Sequence, residues 1–199
     1  MRPACILLAG GLATRMGGGD KSLKILGGRP ILAHVIDRIR PQASALALNA
    51  NGDPARLAEW GLPVIADAMP DFPGPLAGIH AGMLWAQARG VADVVSIPTD
   101  IPFLPTDLVD RLQAARGDAD IAVAMSEGNI HPIVALWPAG LADELHRLVG
   151  DGMRRVREFA GRHRVGYADF PVGAIDPFLN INRPEDLERA ESLLSQSLL

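Results

Sequence analysis

Ala4-Cys5-Ile6-Leu7-Leu8-Ala9-Gly10-Gly11-Leu12-Ala13-Thr14-Arg15-Met16-Gly17-Gly18-Gly19-Asp20-Lys21 is the stretch on which the reading of this chain turns. An apolar run of strand length passes directly into a glycine-dense loop carrying two cations. Six apolar residues in succession fit a strand buried on both faces, the kind found in parallel sheets. Glycines let backbone N–H groups come close to phosphate oxygens, and Arg15 and Lys21 add positive charge, so the loop reads as a cradle for a nucleoside triphosphate. Two cations offset only part of a triphosphate's charge, and a divalent metal, Mg²⁺, is expected beside them.

Two better-known phosphate motifs do not fit. Gly19-Asp20-Lys21-Ser22 looks like the end of a P-loop, but Asp20 stands where glycine should directly precede the lysine, and no Gly-x-x-x-x-Gly-Lys-Ser can be written. The dinucleotide fingerprint Gly-x-Gly-x-x-Gly is also absent after the first strand.

Outward from this loop, the hydrophobic period switches repeatedly between strand-like runs and helical spacing. That pattern predicts an α/β fold, Rossmann-like, with a mostly parallel central sheet and helices on both faces. Strands are predicted at Ala4–Ala9, Ala45–Asn49, Val64–Ala66, Asp93–Ile97, Ile121–Ala124, His131–Trp137 and Val165–Phe170. One helix follows Pro30, with Leu32, Val35, Ile36 and Ile39 on its apolar face, and a second, opened by Pro75, carries Leu76, Ile79, Met83 and Leu84. A third follows Pro105 with Leu108, Val109 and Leu112, and a fourth follows Pro184 with Leu187, Ala190 and Leu194. A further helix is predicted over Gly152–His163.

The 199 residues are 48% hydrophobic and 21% charged, enough for a sizeable core, and read as a single domain over 1–199. A net charge of −4 opposes broad binding to nucleic acid or anionic membrane, so an anion must be captured by a local cluster. One cysteine, Cys5, excludes an intrachain disulfide and fits a reducing compartment. The apolar run Ala4–Ala9 is too short for a secretory signal, and no segment reaches the roughly 18–20 apolar residues of a membrane span.

In open α/β sheets ligands bind beyond the carboxyl ends of the strands, where strand order reverses. Gly10–Lys21, Asn49-Ala50-Asn51, Asp67 and Pro98-Thr99-Asp100 each follow one of the first four strands, so all should share that edge. Asp100, stiffened by Pro98 and Pro102, suits Mg²⁺, which takes one or two protein carboxylates with phosphate oxygens and waters. A cap or turn ahead of Leu104–Gln113 accounts for it equally well. Asn49 and Asp67 offer an amide and a carboxylate, groups suited to guanine, although both types also populate loops for local reasons. Pro73-Gly74-Pro75-Leu76-Ala77-Gly78 opens a helix whose free N–H groups either read a base edge or serve only the helix start. Arg154 and Arg155 either face solvent or receive a second anionic substrate. His131 and His163 have no metal-ligand spacing with each other or with Cys5, and no Ser, His and carboxylate set suggests nucleophilic catalysis.

Taken in order, Leu8-Ala9-Gly10-Gly11, Arg15-Met16-Gly17-Gly18 through Lys21, Asn49-Ala50-Asn51, Pro73-Gly74-Pro75-Leu76-Ala77-Gly78, Pro98-Thr99-Asp100-Ile101-Pro102-Phe103, His131-Pro132 and Phe178-Leu179-Asn180-Ile181-Asn182-Arg183-Pro184-Glu185 resemble the molybdenum cofactor guanylyltransferases almost from end to end. Gly10-Gly11, where related cytidylyltransferases usually carry Ala-Gly, and the Pro-Gly-Pro-Leu-Ala-Gly segment both favour guanine. Gly19 departs from the bulkier residue of many members without removing a charged group.

The resemblance implies a cytoplasmic enzyme that uses GTP and Mg²⁺ to attach GMP to molybdenum-bearing molybdopterin, releasing pyrophosphate. It assigns Leu8, Ala9, Gly10, Gly11 and Gly78 to GTP, Lys21 to the phosphates, Asn49 and Asp67 to the nucleotide, and Asp100 to nucleotide and metal. Arg15, Lys21 and Asp100 form the implied catalytic set, and Asn180 and Asn182 lie toward the pterin. Transient contact with molybdoenzymes or their chaperones is a further implied partnership. Two other classes are open at this stage: a cytidylyl or other small-molecule nucleotidyltransferase, and a non-catalytic nucleotide or cofactor carrier.

Overall fold

The computed structural model describes residues 1–10, 21–69 and 74–196, with Lys21 described by its backbone alone. Gly11, Arg15 and Gly19 therefore lie outside the described residues. In chain order the elements are β1 (Ala4–Leu8), β2 (Ile25–Leu26), β3 (Arg29–Pro30), α1 (Ile31–Ile39), β4 (Ala45–Asn49), β5 (Val64–Ile65), α2 (Pro75–Ala88), β6 (Asp93–Pro98), α3 (Leu108–Arg116), β7 (Ile121–Ser126), β8 (Asn129–Pro138), α4 (Ala142–Gly150), α5 (Val156–Ala160), β9 (Val165–Asp169) and α6 (Pro184–Gln196). All seven predicted strands are present within a few residues of their expected bounds, and β2 and β3 add a small hairpin.

The main sheet runs β5-β4-β1-β6-β8-β7-β9. The chain steps outward from β1 to β4 and β5, then returns to lay β6 on the other side of β1, so strand order reverses at β1 and β6. β8 alone among the described strands of this sheet runs antiparallel to its neighbours. Only Glu127 and Gly128 separate it from β7, too few residues for the crossover that a parallel pair requires.

Alternate residues of β1 point to opposite faces, as the strand period of two dictates. Cys5, Leu7 and Ala9 join a core shared with α1 and α3, whereas Ala4 and Ile6 join one shared with α2, α4 and α5. The sheet is thus covered by helices on both faces. Each fully buried Leu, Ile or Val contributes about 1.5–3 kcal/mol, and both layers are built largely of such residues. The Cys5 thiol is buried in the first layer, and burial pushes its pKa up to about 12.

Three helix readings change. The predicted helix over Gly152–His163 contracts to the five residues of α5, because Gly152 takes a φ of 103° and Arg155 is extended. Arg154 is therefore outside the helix and Arg155 only flanks it. α4 was not anticipated, although Leu145, Leu148 and Val149 carry helical spacing and are buried. In α2, Leu76, Ile79 and Met83 are buried as predicted, but Leu84 is 36% exposed, and His80 and Ala81 are buried instead. α2 is covered by the sheet on one side and by α4 on another, so a single apolar stripe does not describe it. Among the described residues, no helix is long and apolar enough to cross a membrane.

Candidate active site

β1 ends between β4 and β6, with Leu8 registered against Asn49 on one side and Pro98 on the other. The Thr99 hydroxyl donates to the Leu8 carbonyl at 3.2 Å, binding the turn after β6 to the strand that leads into the glycine loop. All four clusters predicted to share the carboxyl edge do so for their described parts, because β1, β4, β5 and β6 are parallel.

A cleft of about 300 Å³ opens at this edge, and Leu8, Gly10, Asn49, Asp67, Gly74 and Pro98 contribute to its lining. A methyl group placed on Gly10, which lines the cleft, would meet none of the described residues within 4 Å. Ala9 is buried and its N–H donates to the Asn49 carbonyl at 2.8 Å. That group is committed to the sheet and does not face a ligand.

Asn49 and Asp67 are joined directly. Asn49 Nδ2 donates to Asp67 Oδ1 at 2.8 Å and to the Ile65 carbonyl at 3.0 Å, while Asn51 Nδ2 donates to Asp67 Oδ2 at 2.7 Å. The Asp67 N–H returns a bond to Asn51 Oδ1 at 2.9 Å. Both amide hydrogens of Asn49 are thereby used, and one of them holds the Asp67 carboxylate in place; the Asn49 Oδ1 and a second lone pair on each carboxylate oxygen are left to accept from a ligand. Gly78 lies behind Asn49 and outside the cleft lining, in the first turn of α2. Gly74, the N-cap of α2, takes a φ of 133°, a conformation that glycine adopts at little cost, and Pro75 occupies the first helical position. The 14-residue helix thus aims its N-terminal end, which favours anions, toward this edge.

Asp100 is a turn residue two positions beyond β6, half-buried, and its carbonyl accepts from the Ile181 N–H at 2.9 Å. It is not the cap of α3, whose N-cap is Asp107. Through the bond to Ile181, the Asn180–Asn182 segment is held against the Asp100 turn. The Asn182 and Arg183 N–H groups both donate to Asp186 Oδ2 at 2.9 Å, which caps α6.

A second cleft of about 310 Å³ adjoins the first, sharing Pro98 and Ile133 with it. Its origin lies in the pairing of β8. β6 and β8 stay in register only as far as Ser96 and Ala135, after which β8 leaves β6. Its pairing with β7 jumps from Val123 opposite Ala135 to Ala124 opposite His131, so Pro132, Ile133 and Val134 bulge. Pro132 has no N–H to give to a ladder. The Ser96 hydroxyl donates to the Ile133 carbonyl at 2.6 Å and accepts from Trp137 Nε1 at 2.9 Å, which pins the bulge. Asn180 lines this second cleft, as do His131 and Phe178. Spacing gives His131 no metal-ligand partner, and although His131-Pro132 is among the segments that carry the family resemblance, the pairing that brings the ring here is not visible in the periodicity.

Arg154 and Arg155 line neither cleft. Arg154 donates to the carbonyls of Val149 and Met153, both at 2.8 Å, and so closes the end of α4. Arg155 is exposed and lies 3.9 Å from Glu158. Gly11 and Arg15 lie outside the described residues, and the Lys21 backbone begins a short 3₁₀ turn, Lys21–Leu23.

Among the described residues, no group of three His, Cys, Asp or Glu side chains could hold a metal ion. With the described residues alone, a cation at Asp100 would need further oxygens from a substrate or water, a donor set that would suit Mg²⁺ held through a single carboxylate, phosphate oxygens and water.

A family model for the MobA-like NTP transferase domain matches residues 5–165. A molybdenum cofactor guanylyltransferase of Rhodopseudomonas palustris (strain HaA2) is 55% identical over 196 residues, spanning 96% of this chain and 92% of that protein. One from Mesorhizobium japonicum is 50% identical over 198 residues, spanning 96% and 95%. Among solved structures, molybdopterin-guanine dinucleotide biosynthesis protein A from Archaeoglobus fulgidus matches at 25% identity with a TM-score of 0.75, over 97% of this chain and 99% of that one. CMP:2-keto-3-deoxy-manno-octonic acid synthetase, solved with CTP, shares the fold at a TM-score of 0.76 but only 11% identity, over 99% of this chain and 100% of that one. Half-identity sustained over nearly the whole length makes this chain a nucleotidyltransferase of the molybdenum cofactor guanylyltransferase family, within the MobA-like NTP transferases.

Proposed function

We propose that this chain transfers GMP from GTP to molybdenum-bearing molybdopterin in a Mg²⁺-dependent reaction that releases pyrophosphate. The observation that carries the reading is the pair of contiguous clefts meeting at Pro98 and Ile133, where strand order reverses. Two substrates can be held there side by side. The first cleft, with the fixed Asp67 carboxylate, Gly10 in its lining and the start of α2, takes the nucleotide. A carboxylate pairs with the N1–H and N2–H₂ donors of guanine, which gives Asp67 a reason to be clamped by two amides.

The second cleft takes the acceptor. An oxygen of its terminal phosphate attacks the α-phosphorus of GTP in line; the new P–O bond forms as the bond to pyrophosphate breaks. A phosphate monoester is already ionised near neutral pH, so no general base is required. Catalysis is then chiefly positioning and charge neutralisation. Asp100 would hold Mg²⁺ against the phosphates, and when bound the metal supplies charge neutralisation there. By the family resemblance, Arg15 and Lys21 would offset charge on the leaving pyrophosphate, and the Gly10 backbone would supply an N–H dipole. Asn180 lies on the acceptor side.

The names of the relatives favour a guanylyl donor over the cytidylyl alternative, and a carboxylate that would hold a metal beside the phosphates is of no use to a carrier that performs no chemistry. A thermal-shift panel with GTP, CTP, ATP and UTP, with and without Mg²⁺, tests the donor. GTP at 100 times its Kd should add about 2.7 kcal/mol of stability. Stabilisation by CTP in place of GTP would assign the cytidylyl reaction. GTP binding without pyrophosphate release in the presence of molybdopterin would assign a carrier.

A further inference from the structure

Ser126, His131, Asp176 and Phe178 form a cluster at the wall of the second cleft that the reaction as described does not use. Ser126 is buried, and its hydroxyl lies 2.8 Å from His131 Nε2 and 3.5 Å from Asp176 Oδ1. Asp176 Oδ1 also accepts from the Phe178 N–H at 2.9 Å. The His131 ring lies over Phe178, centroids 4.4 Å apart, and Phe178 in turn meets Phe170 edge-on at 5.3 Å.

The Ser126 hydroxyl either donates to a lone pair on His131 Nε2 or accepts from Nε2–H; with its own proton directed to Asp176, which when ionised can only accept, it accepts. In that arrangement Nε2 carries the proton and Nδ1 carries a lone pair, for which no partner exists among the described residues. Burial holds the His131 pKa below its ordinary value, with Asp176 opposing the shift, which keeps the ring neutral at pH 7.

We propose that His131 is a contact for the acceptor substrate, taking a hydrogen bond from an N–H of a flat heterocycle in the second cleft, with Ser126 and Asp176 as the positioning residues that set its tautomer and angle. Ile101, Val134 and the edge of Phe178 contribute apolar lining beside His131, against which such a ring can pack. The assignment rests on the proposed function, since it is that reading which places the acceptor in this cleft.

Two measurements test it. The first needs no turnover: in ¹⁵N-histidine-labelled protein, the ring nitrogen shifts of His131 should report the neutral Nε2–H tautomer, and Ser126→Ala should abolish that preference. An Nδ1–H tautomer in the native protein overturns the relay. The second is steady-state kinetics of pyrophosphate release. His131→Ala should raise the KM for molybdopterin about tenfold, the size of one neutral hydrogen bond and a ring contact, with the KM for GTP unchanged. His131→Asn, whose Oδ1 falls near the position of Nδ1, should recover part of that loss. An acceptor KM within twofold of native in His131→Ala, or an equal rise for GTP, overturns the assignment and leaves the guanylyl reaction standing. A native protein that neither binds GTP nor releases pyrophosphate overturns the function itself, and with it the acceptor contact.

Discussion

Gly78 and Asn49 are packed so closely that a methyl group on the glycine would lie 2.3 Å from Asn49 Oδ1 and 2.9 Å from Leu8 Cδ2. The first turn of α2 is seated on the residue that positions Asp67, and only hydrogen fits between them. Gly78→Ala must displace either the helix or the amide. It should cost about 1–3 kcal/mol in urea unfolding and weaken GTP binding at least tenfold by calorimetry. Gly82→Ala is the control. Its methyl would press on Ile6 Cγ2 at 2.6 Å, so stability should fall by a similar amount while the KM for GTP stays native.

Asn49→Ala removes two donors at once, one to the Ile65 carbonyl and one to Asp67. With the site nearly buried, the loss should amount to about 1–3 kcal/mol of stability. Asp67 keeps its bond from Asn51 but loses its anchor to β4, so GTP affinity should drop together with stability. Asn51→Ala, at an exposed position, should lower affinity with a smaller loss of stability.

Asp100→Asn preserves shape and the carbonyl that accepts from Ile181, so circular dichroism and the unfolding midpoint should match the native protein. Pyrophosphate release should fall by about 100-fold or more, equivalent to ~2.7 kcal/mol of transition-state stabilisation. Rate measured against Mg²⁺ concentration checks the cause. A variant with native rate and native Mg²⁺ dependence would remove Asp100 from the metal site.

His80 is buried between α2 and α4, its ring centroid 5.4 Å from that of His146. Burial is the largest cause lowering its pKa below 6.5, His146 adds to the shift, and Asp143 opposes it. The folded state thus binds its proton less readily than the unfolded chain. The stability this contributes is complete above pH 6.5 and is lost as pH falls through the lowered folded-state value. Urea midpoints should decline from pH 7.5 to 5, and His80→Leu should flatten that decline. The slope that persists belongs in part to His131, whose pKa is lowered in the same direction.

Much of this molecule was legible from local pattern. The apolar run Ala4–Ala9, the alternation of strand and helix periods, and the placement of Asn49, Asp67 and Asp100 just after strands were enough to predict a mostly parallel sheet with polar residues gathered at one edge. Period and spacing are properties of neighbouring residues, and a buried strand or an amphipathic helix is specified within its own few turns. Other features had no such local signature. The length of α5 depended on the φ of Gly152, and the burial of His80 depended on α4 covering α2.

The second cleft exists because β8 pairs with β6 only from Ala135 onward, and its polar wall joins Ser126 to Asp176 across 50 residues of chain. Asn49 clamps Asp67 because that residue, 18 positions away, takes one of its amide hydrogens. Hydrogen bonds between residues so far apart leave no periodicity in the sequence; they form only once the sheet has brought its strand ends together, and that tertiary step decided which side chains line the two clefts.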